Sequence, residues 1–133
     1  VIAVEEVPHT QIERYGVISG DLIDGTNNTY RVNNMIEKPN SNDLLEFVPD
    51  SVDLNNTPSF MAIIGRYILT PDIFDILKNI KPSKNGEIQI TDALNVQAKQ
   101  GKVVAYKFTG KRFDCGSIKG YLEANNYFAK NLQ

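Results

Sequence analysis

The chain has 133 residues, 41% of them hydrophobic and 23% charged, which suits one packed domain or part of one. Fourteen Lys and Arg against sixteen Asp and Glu leave a net charge of −2, so nothing electrostatic favours nucleic acid or an anionic membrane surface. One cysteine and one histidine exclude an internal disulfide, argue against a zinc site and fit a reducing cytoplasm.

The sequence opens on Val1-Ile2-Ala3-Val4, a β-branched run that reads as a buried strand. Such a strand needs neighbours on both sides, so the sheet is expected to continue into residues outside this sequence. No basic stretch precedes an apolar one as in a signal peptide. Runs such as Met61–Ile64 fall far short of the roughly 20 residues that span a bilayer.

Thr10 with Glu13 has the spacing of a capping box and predicts one helical turn over Thr10–Arg14. Tyr15–Ser19 and Thr29–Val32 predict two strands, joined through Asp24-Gly25 and the polar residues after it, which is turn chemistry. Val32–Ile36 then leads into Glu37-Lys38-Pro39, where the proline is expected to keep its predecessor extended. Residues 40–59 are rich in Asn, Asp and Ser and predict a flexible loop or insertion.

Phe60–Leu69 predicts the strongest strand. Thr70-Pro71 then opens a helix whose apolar face is Ile73, Phe74, Leu77 and Ile80, with Pro82 ending it. Thr91 or Asp92 is expected to cap a second helix that stops at Gly101. Val103–Phe108 predicts a buried strand, and Ser117 a cap for a last helix carrying Tyr121, Leu122, Asn125, Phe128 and Ala129. Strands alternate with helices, so the class is α/β with a mixed sheet.

Four constellations carry possible chemistry. Gly16 at the start of a strand marks either a bulge or a place where something lies close against the backbone. Glu37-Lys38 pairs a carboxylate able to accept two sugar hydroxyls with an ammonium suited to a phosphate, although such pairs also decorate solvated surfaces. Asn85–Asp92 joins a turn, an alternating stretch and a helix cap, and reads as architecture for Glu87, Thr91 and Asp92. Asp114, in Arg112-Phe113-Asp114-Cys115-Gly116, is a candidate ligand for a hard cation such as Mg2+, or a helix-entry residue favoured by the helix dipole. Cys115 reads as a small packing residue and His9 as a loop residue.

The order of these elements says more than any one of them. Val-Ile-Ala-Val-Glu-Glu-Val-Pro at 1–8, Tyr-Gly-Val-Ile at 15–18 and Val-Asn-Asn-Met-Ile-Glu-Lys-Pro at 32–39 come first. Ile-Gly-Arg-Tyr-Ile-Leu-Thr-Pro-Asp-Ile-Phe at 64–74, Gly-Glu-Ile-Gln-Ile-Thr-Asp-Ala-Leu at 86–94 and Gly-Lys-Arg-Phe-Asp-Cys-Gly at 110–116 follow. From end to end the series resembles the second half of the bacterial UTP–glucose-1-phosphate uridylyltransferases, within the wider sugar nucleotidyltransferase family. The Glu-Lys-Pro and Asp-Cys-Gly elements are shared across that family, whereas the runs at 65–71 and 87–92 point to its uridylyl branch.

The resemblance implies the C-terminal part of a Rossmann-like nucleotidyltransferase fold, a mixed sheet flanked by helices, with residues 1–133 forming its sugar-binding portion. It implies that the Gly16 backbone and Glu37 hold glucose hydroxyls and that Lys38 meets the sugar phosphate. Gly65 would line the sugar pocket. Asp114 would ligate a catalytic Mg2+ with a second aspartate from the other half. The substrates would be UTP and glucose 1-phosphate, giving UDP-glucose and pyrophosphate in the cytoplasm, in a homo-oligomer. The family's glycine-rich Gly-x-Gly-Thr-Arg loop has no counterpart in the sequence, so these residues alone are expected to be inactive. Two alternatives stay open: a sister enzyme using dTTP or another sugar phosphate, and a non-catalytic subunit that keeps the fold.

Overall fold

The computed structural model describes residues 1–40, 43, 60–83 and 86–131. In chain order these form β1 (Ile2–Val7), a 3-10 turn (His9–Arg14), β2 (Gly16–Leu22), β3 (Thr29–Glu37) and β4 (Phe60–Tyr67). Then come α1 (Ile73–Leu77), α2 (Ile90–Lys99), β5 (Val104–Lys107) and α3 (Ile118–Asn131). The architecture is α/β with a mixed sheet, as the alternation of elements predicts. Most of the predicted loop at 40–59 lies outside the described residues.

The strands run in the order β1-β4-β2-β3-β5, and β5 pairs back onto β1, so the sheet closes on itself. The β1–β5 pair is parallel and the other four are antiparallel. Closure was not legible locally, because Ile2 pairs with Ala105 across almost the whole chain. The segments predicted at 29–32 and 32–36 form one nine-residue strand. A bulge at Asn33 accommodates it, where the partners step from Ser19–Asn34 to Gly20–Val32.

Alternating side chains on β2 serve two cores. Ile18 faces a larger cluster with Ile2, Val4, Val32, Met35, Ile63, Ile73, Leu94, Val103 and Ala105. Val17 faces a smaller one with Val7, Ile12, Phe60 and Ala62. Each fully buried aliphatic side chain contributes about 1.5–3 kcal/mol relative to exposure. Helix α2 adds Ala93, Leu94 and Ala98 to the larger cluster, which is what fixes it against β3.

Several helix ends differ from expectation. The capping box at Thr10 does not form: the turn is 3-10, it follows Pro8, and no side chain caps it. Helix α1 is shorter than predicted and begins after Asp72 rather than Thr70, whose hydroxyl instead donates to the Asp72 carboxylate. Helix α2 begins after Gln89, placing Thr91 inside its first turn, 3% exposed. The side chain is more useful there than as a cap, for the reason given below. Gly101 does end α2, with φ +72°.

On α3 the buried residues are Gly120 and Ala124, while Tyr121, Leu122 and Phe128 are exposed. Small residues let this helix sit close to the preceding loop. Ser117 caps it as predicted, its hydroxyl accepting the Gly120 N–H at 3.1 Å. Phe113 packs on Tyr127 and Phe128, and the Lys111 ammonium lies 4.6 Å from the Tyr127 ring centre.

Candidate functional site

Glu37 is the last residue of β3 and sits opposite Gly16, the first residue of β2. A Cβ on Gly16 would fall 2.9 Å from Glu37 Oε2, 3.1 Å from Ile63 Cδ1 and 3.3 Å from Thr91 Oγ1. The glycine is therefore neither a bulge residue nor at positive φ; it leaves room for the Glu37 carboxylate to fold back over the strand start. The bulge glycine of β2 is Gly20, whose Cβ would collide with the Arg31 carbonyl.

Thr91 Oγ1 donates to Glu37 Oε2 at 2.5 Å, a short charge-assisted hydrogen bond. One turn later on α2, Asn95 Oδ1 accepts the Met35 N–H at 3.0 Å. Residues four apart share a helix face, so α2 grips the end of β3 at two points. Among the described residues no donor meets the second Glu37 oxygen, Oε1. Tyr67 stands nearby: burial, and then the Glu37 charge, push its phenol pKa up, so it stays a neutral hydrogen-bond donor.

Lys38 does not stay extended before Pro39 as predicted; its φ is +46°, in the left-handed region. The reason lies on either side. Its N–H donates to the Tyr15 carbonyl at 3.0 Å, closing the strand pair, while Pro39 is fully buried and draws the chain inward. An open cleft of about 440 Å³ follows this corner, lined by Glu37, Lys38, Asn40, Asp43, Gln89 and Asp92 among others. Asn40 and Asp43 lock its far rim, each backbone N–H donating to the other's side chain.

Asp114 lies in the loop before α3. Its Oδ1 accepts the Gly116 N–H at 3.1 Å and its Oδ2 meets Arg14 Nη2 at 3.4 Å. A hard divalent cation takes six or more oxygen ligands. Among the described residues no group of three Asp, Glu, His or Cys converges, so Asp114 can supply one carboxylate ligand and not a complete site. Cys115, expected to pack, is exposed.

Of the predicted residues, Gly16, Glu37 and Lys38 form one corner. Asp114 reaches that corner indirectly: it meets Arg14, and Arg112 in the same loop donates to the Tyr15 hydroxyl at 2.9 Å. Gly65 is in β4 with φ +71° at a register shift, and no described contact links it to Glu37; of its neighbours, Ile63 comes close to Gly16 and Tyr67 feels the Glu37 charge. Sequence reasoning missed Thr91 and Tyr67 as site residues. The signal for Thr91 was a polar residue placed where the α2 pattern calls for a core-facing one.

The nucleotidyl transferase family matches residues 1–131. A UTP–glucose-1-phosphate uridylyltransferase of Pseudomonas aeruginosa is 51% identical over 99% of this chain and 42% of its own length. One from Streptococcus pyogenes is 38% identical over 96% of this chain and 38% of its own. Among solved structures, a UDP-glucose pyrophosphorylase complexed with UDP-glucose superposes with a TM-score of 0.78 at 48% identity, over 98% of this chain and 44% of that one. A UTP-bound enzyme of the same kind from Acinetobacter baumannii gives 0.64 at 30% identity, over 96% and 38%. The chain thus spans about two fifths of the length of the relatives it matches. With the family matching nearly the whole length and a relative 51% identical over 99% of it, the chain belongs to the nucleotidyl transferase family.

Proposed function

We propose that the protein carrying this chain is a UTP–glucose-1-phosphate uridylyltransferase, and that these residues form the sugar-phosphate side of its site. The observation that carries the reading is the Glu37 carboxylate, tied by Thr91 through one oxygen and, among the described residues, met by no donor at the other, in a chain 51% identical to such an enzyme. A carboxylate with one oxygen fixed accepts a hydroxyl in a defined direction, and an epimer that leaves it unpaired is rejected. The Gly16 backbone would lie under the sugar and Lys38 would meet its phosphate as a point charge. Gly65 would shape the pocket wall through the strand it bends.

In the reaction a phosphate oxygen of glucose 1-phosphate attacks the α-phosphorus of UTP, and the bond to pyrophosphate breaks in line. No covalent protein nucleophile is required; the work is alignment and charge neutralisation. Nucleotidyl transferases typically use a divalent metal. Here Asp114 would give one oxygen to a Mg2+ whose other ligands come from phosphates and a residue outside this chain, offsetting the charge of two anionic reactants. UTP as substrate and a single reduced cysteine fit a cytoplasmic enzyme.

In the whole enzyme, Glu37→Ala should raise KM for glucose 1-phosphate about tenfold or more, with KM for UTP little changed. Asp114→Ala should chiefly lower kcat, by about 100-fold or more. An unchanged KM for glucose 1-phosphate removes Glu37 from the sugar site, and normal turnover removes Asp114 from the metal.

A further inference from the structure

We propose that Arg112 is a positioning residue that sets the Asp114 loop against the Glu37–Lys38 corner, acting through Tyr15. The inference rests on the roles proposed for Glu37, Lys38 and Asp114, and goes beyond them in naming what holds the two halves of that arrangement in register.

Three segments meet at this guanidinium. Its Nε donates to Glu5 Oε1 on β1 at 2.6 Å, and Nη2 forms an ion pair with the same oxygen at 2.5 Å. Nη2 also donates to the Tyr15 hydroxyl at 2.9 Å, and the guanidinium carbon lies 5.3 Å from the Tyr15 ring centre. Tyr15 in turn immediately precedes Gly16, and its carbonyl accepts the Lys38 N–H at 3.0 Å. A continuous path of hydrogen bonds and covalent bonds therefore runs from the loop of Asp114 to the backbone of Lys38.

The strength of this path is set by burial. The Arg112 and Glu5 side chains are only 25% and 23% exposed, so the pair is far less screened than the Arg14–Asp114 contact, at 60% and 46%. Arg112 is thus the firmer of the two charged attachments of a loop that has no strand or helix of its own between β5 and α3. A planar fork can serve Glu5 and Tyr15 at once, which a lysine ammonium on a flexible stem does less well. A shift of about 1 Å in a reacting group costs about 100-fold in rate. Loosening Arg112 should accordingly reach the chemistry before it reaches substrate affinity.

The test uses the whole enzyme with Arg112→Lys, Tyr15→Phe, the double variant and Asp114→Ala. Tyr15→Phe keeps the ring and removes only the hydroxyl, so it remains informative if Arg112→Lys folds poorly. Both single variants should lower kcat about 10- to 100-fold, with KM for UTP within about twofold of the parent and the melting temperature within a few degrees. The double variant should be no worse than the poorer single one, because both break one path. Parental kcat in either folded single variant, or losses that multiply in the double, overturns the inference. A normal kcat for Asp114→Ala would instead overturn the role of Asp114 on which it rests.

Discussion

The main-chain carbonyl oxygen of Asp114 lies 1.9 Å from where a Cβ on Gly120 would be, so the first turn of α3 presses directly on the loop that carries Asp114. A glycine inside a helix costs about 1 kcal/mol relative to alanine, and here the close approach explains it. Gly120→Ala should move backbone rather than a flexible side chain end. We expect destabilisation of about 1–3 kcal/mol by denaturant melts and a kcat lowered about tenfold or more in the whole enzyme. A variant as stable and as active as the parent would show that the loop yields freely.

Thr91 makes a second prediction, because the bond it donates to Glu37 is charge-assisted and its surroundings are buried. Thr91→Val keeps the shape and removes the hydroxyl, at a cost of about 1.5–3 kcal/mol for a hydrogen bond to a charged group. KM for glucose 1-phosphate should rise about tenfold, while Thr91→Ser should restore most of it. Equal KM values for Val and Ser variants would show that the hydroxyl does not orient the carboxylate.

Gly16 supplies a third. Because its missing Cβ would stand 2.9 Å from Glu37 Oε2, Gly16→Ala should displace the same carboxylate. Loss of affinity for glucose 1-phosphate without loss for UTP is the expected pattern in equilibrium binding. Unchanged affinity for both would mean that the carboxylate has a second resting place of equal use.

The fourth concerns acid. Hydrogen bonds from Thr70 and then Gln97, with the Lys102 charge contributing, hold the Asp72 carboxyl below the usual carboxylate range. A pKa depressed by folding contributes stability that is present above the unfolded value, about 4, and is lost as pH falls through the lower folded value. Asp72 is exposed at its carboxylate, so the effect is small. Asp72→Asn should lower the melting temperature slightly at neutral pH and flatten its fall below about pH 4, the two proteins converging in acid. The same slope in both proteins would assign that acid sensitivity to other carboxylates.

The strands were legible where β-branched residues alternate or run together, as at Ile2–Val7 and Phe60–Tyr67, because burial in a sheet selects those side chains directly. The Asp24-Gly25 turn and the Gly101 stop were legible for a similar local reason. Closure of the sheet was not, since pairing of Ile2 with Ala105 is decided by tertiary packing. Thr91 read as a cap because a threonine before an apolar run usually is one. Only the fold reveals that Glu37, 54 positions earlier, is its partner. Glu37 and Lys38 stood out as a charged pair at a strand end, yet the backbone turn at Lys38 was misjudged, because burial of Pro39 overrides the steric preference for an extended predecessor.

With the phosphate contact proposed for Lys38, this residue is where selection for a stable fold and selection for a charge pull apart. Asparagine or glycine takes up a positive φ more readily than lysine, and either removes the ammonium. A library of the whole enzyme sorted for thermostability alone should therefore drift at position 38 toward those residues, whereas one sorted for UDP-glucose synthesis should keep lysine. On the proposed reading, the corner gives up some conformational ease to keep a cation beside the cleft.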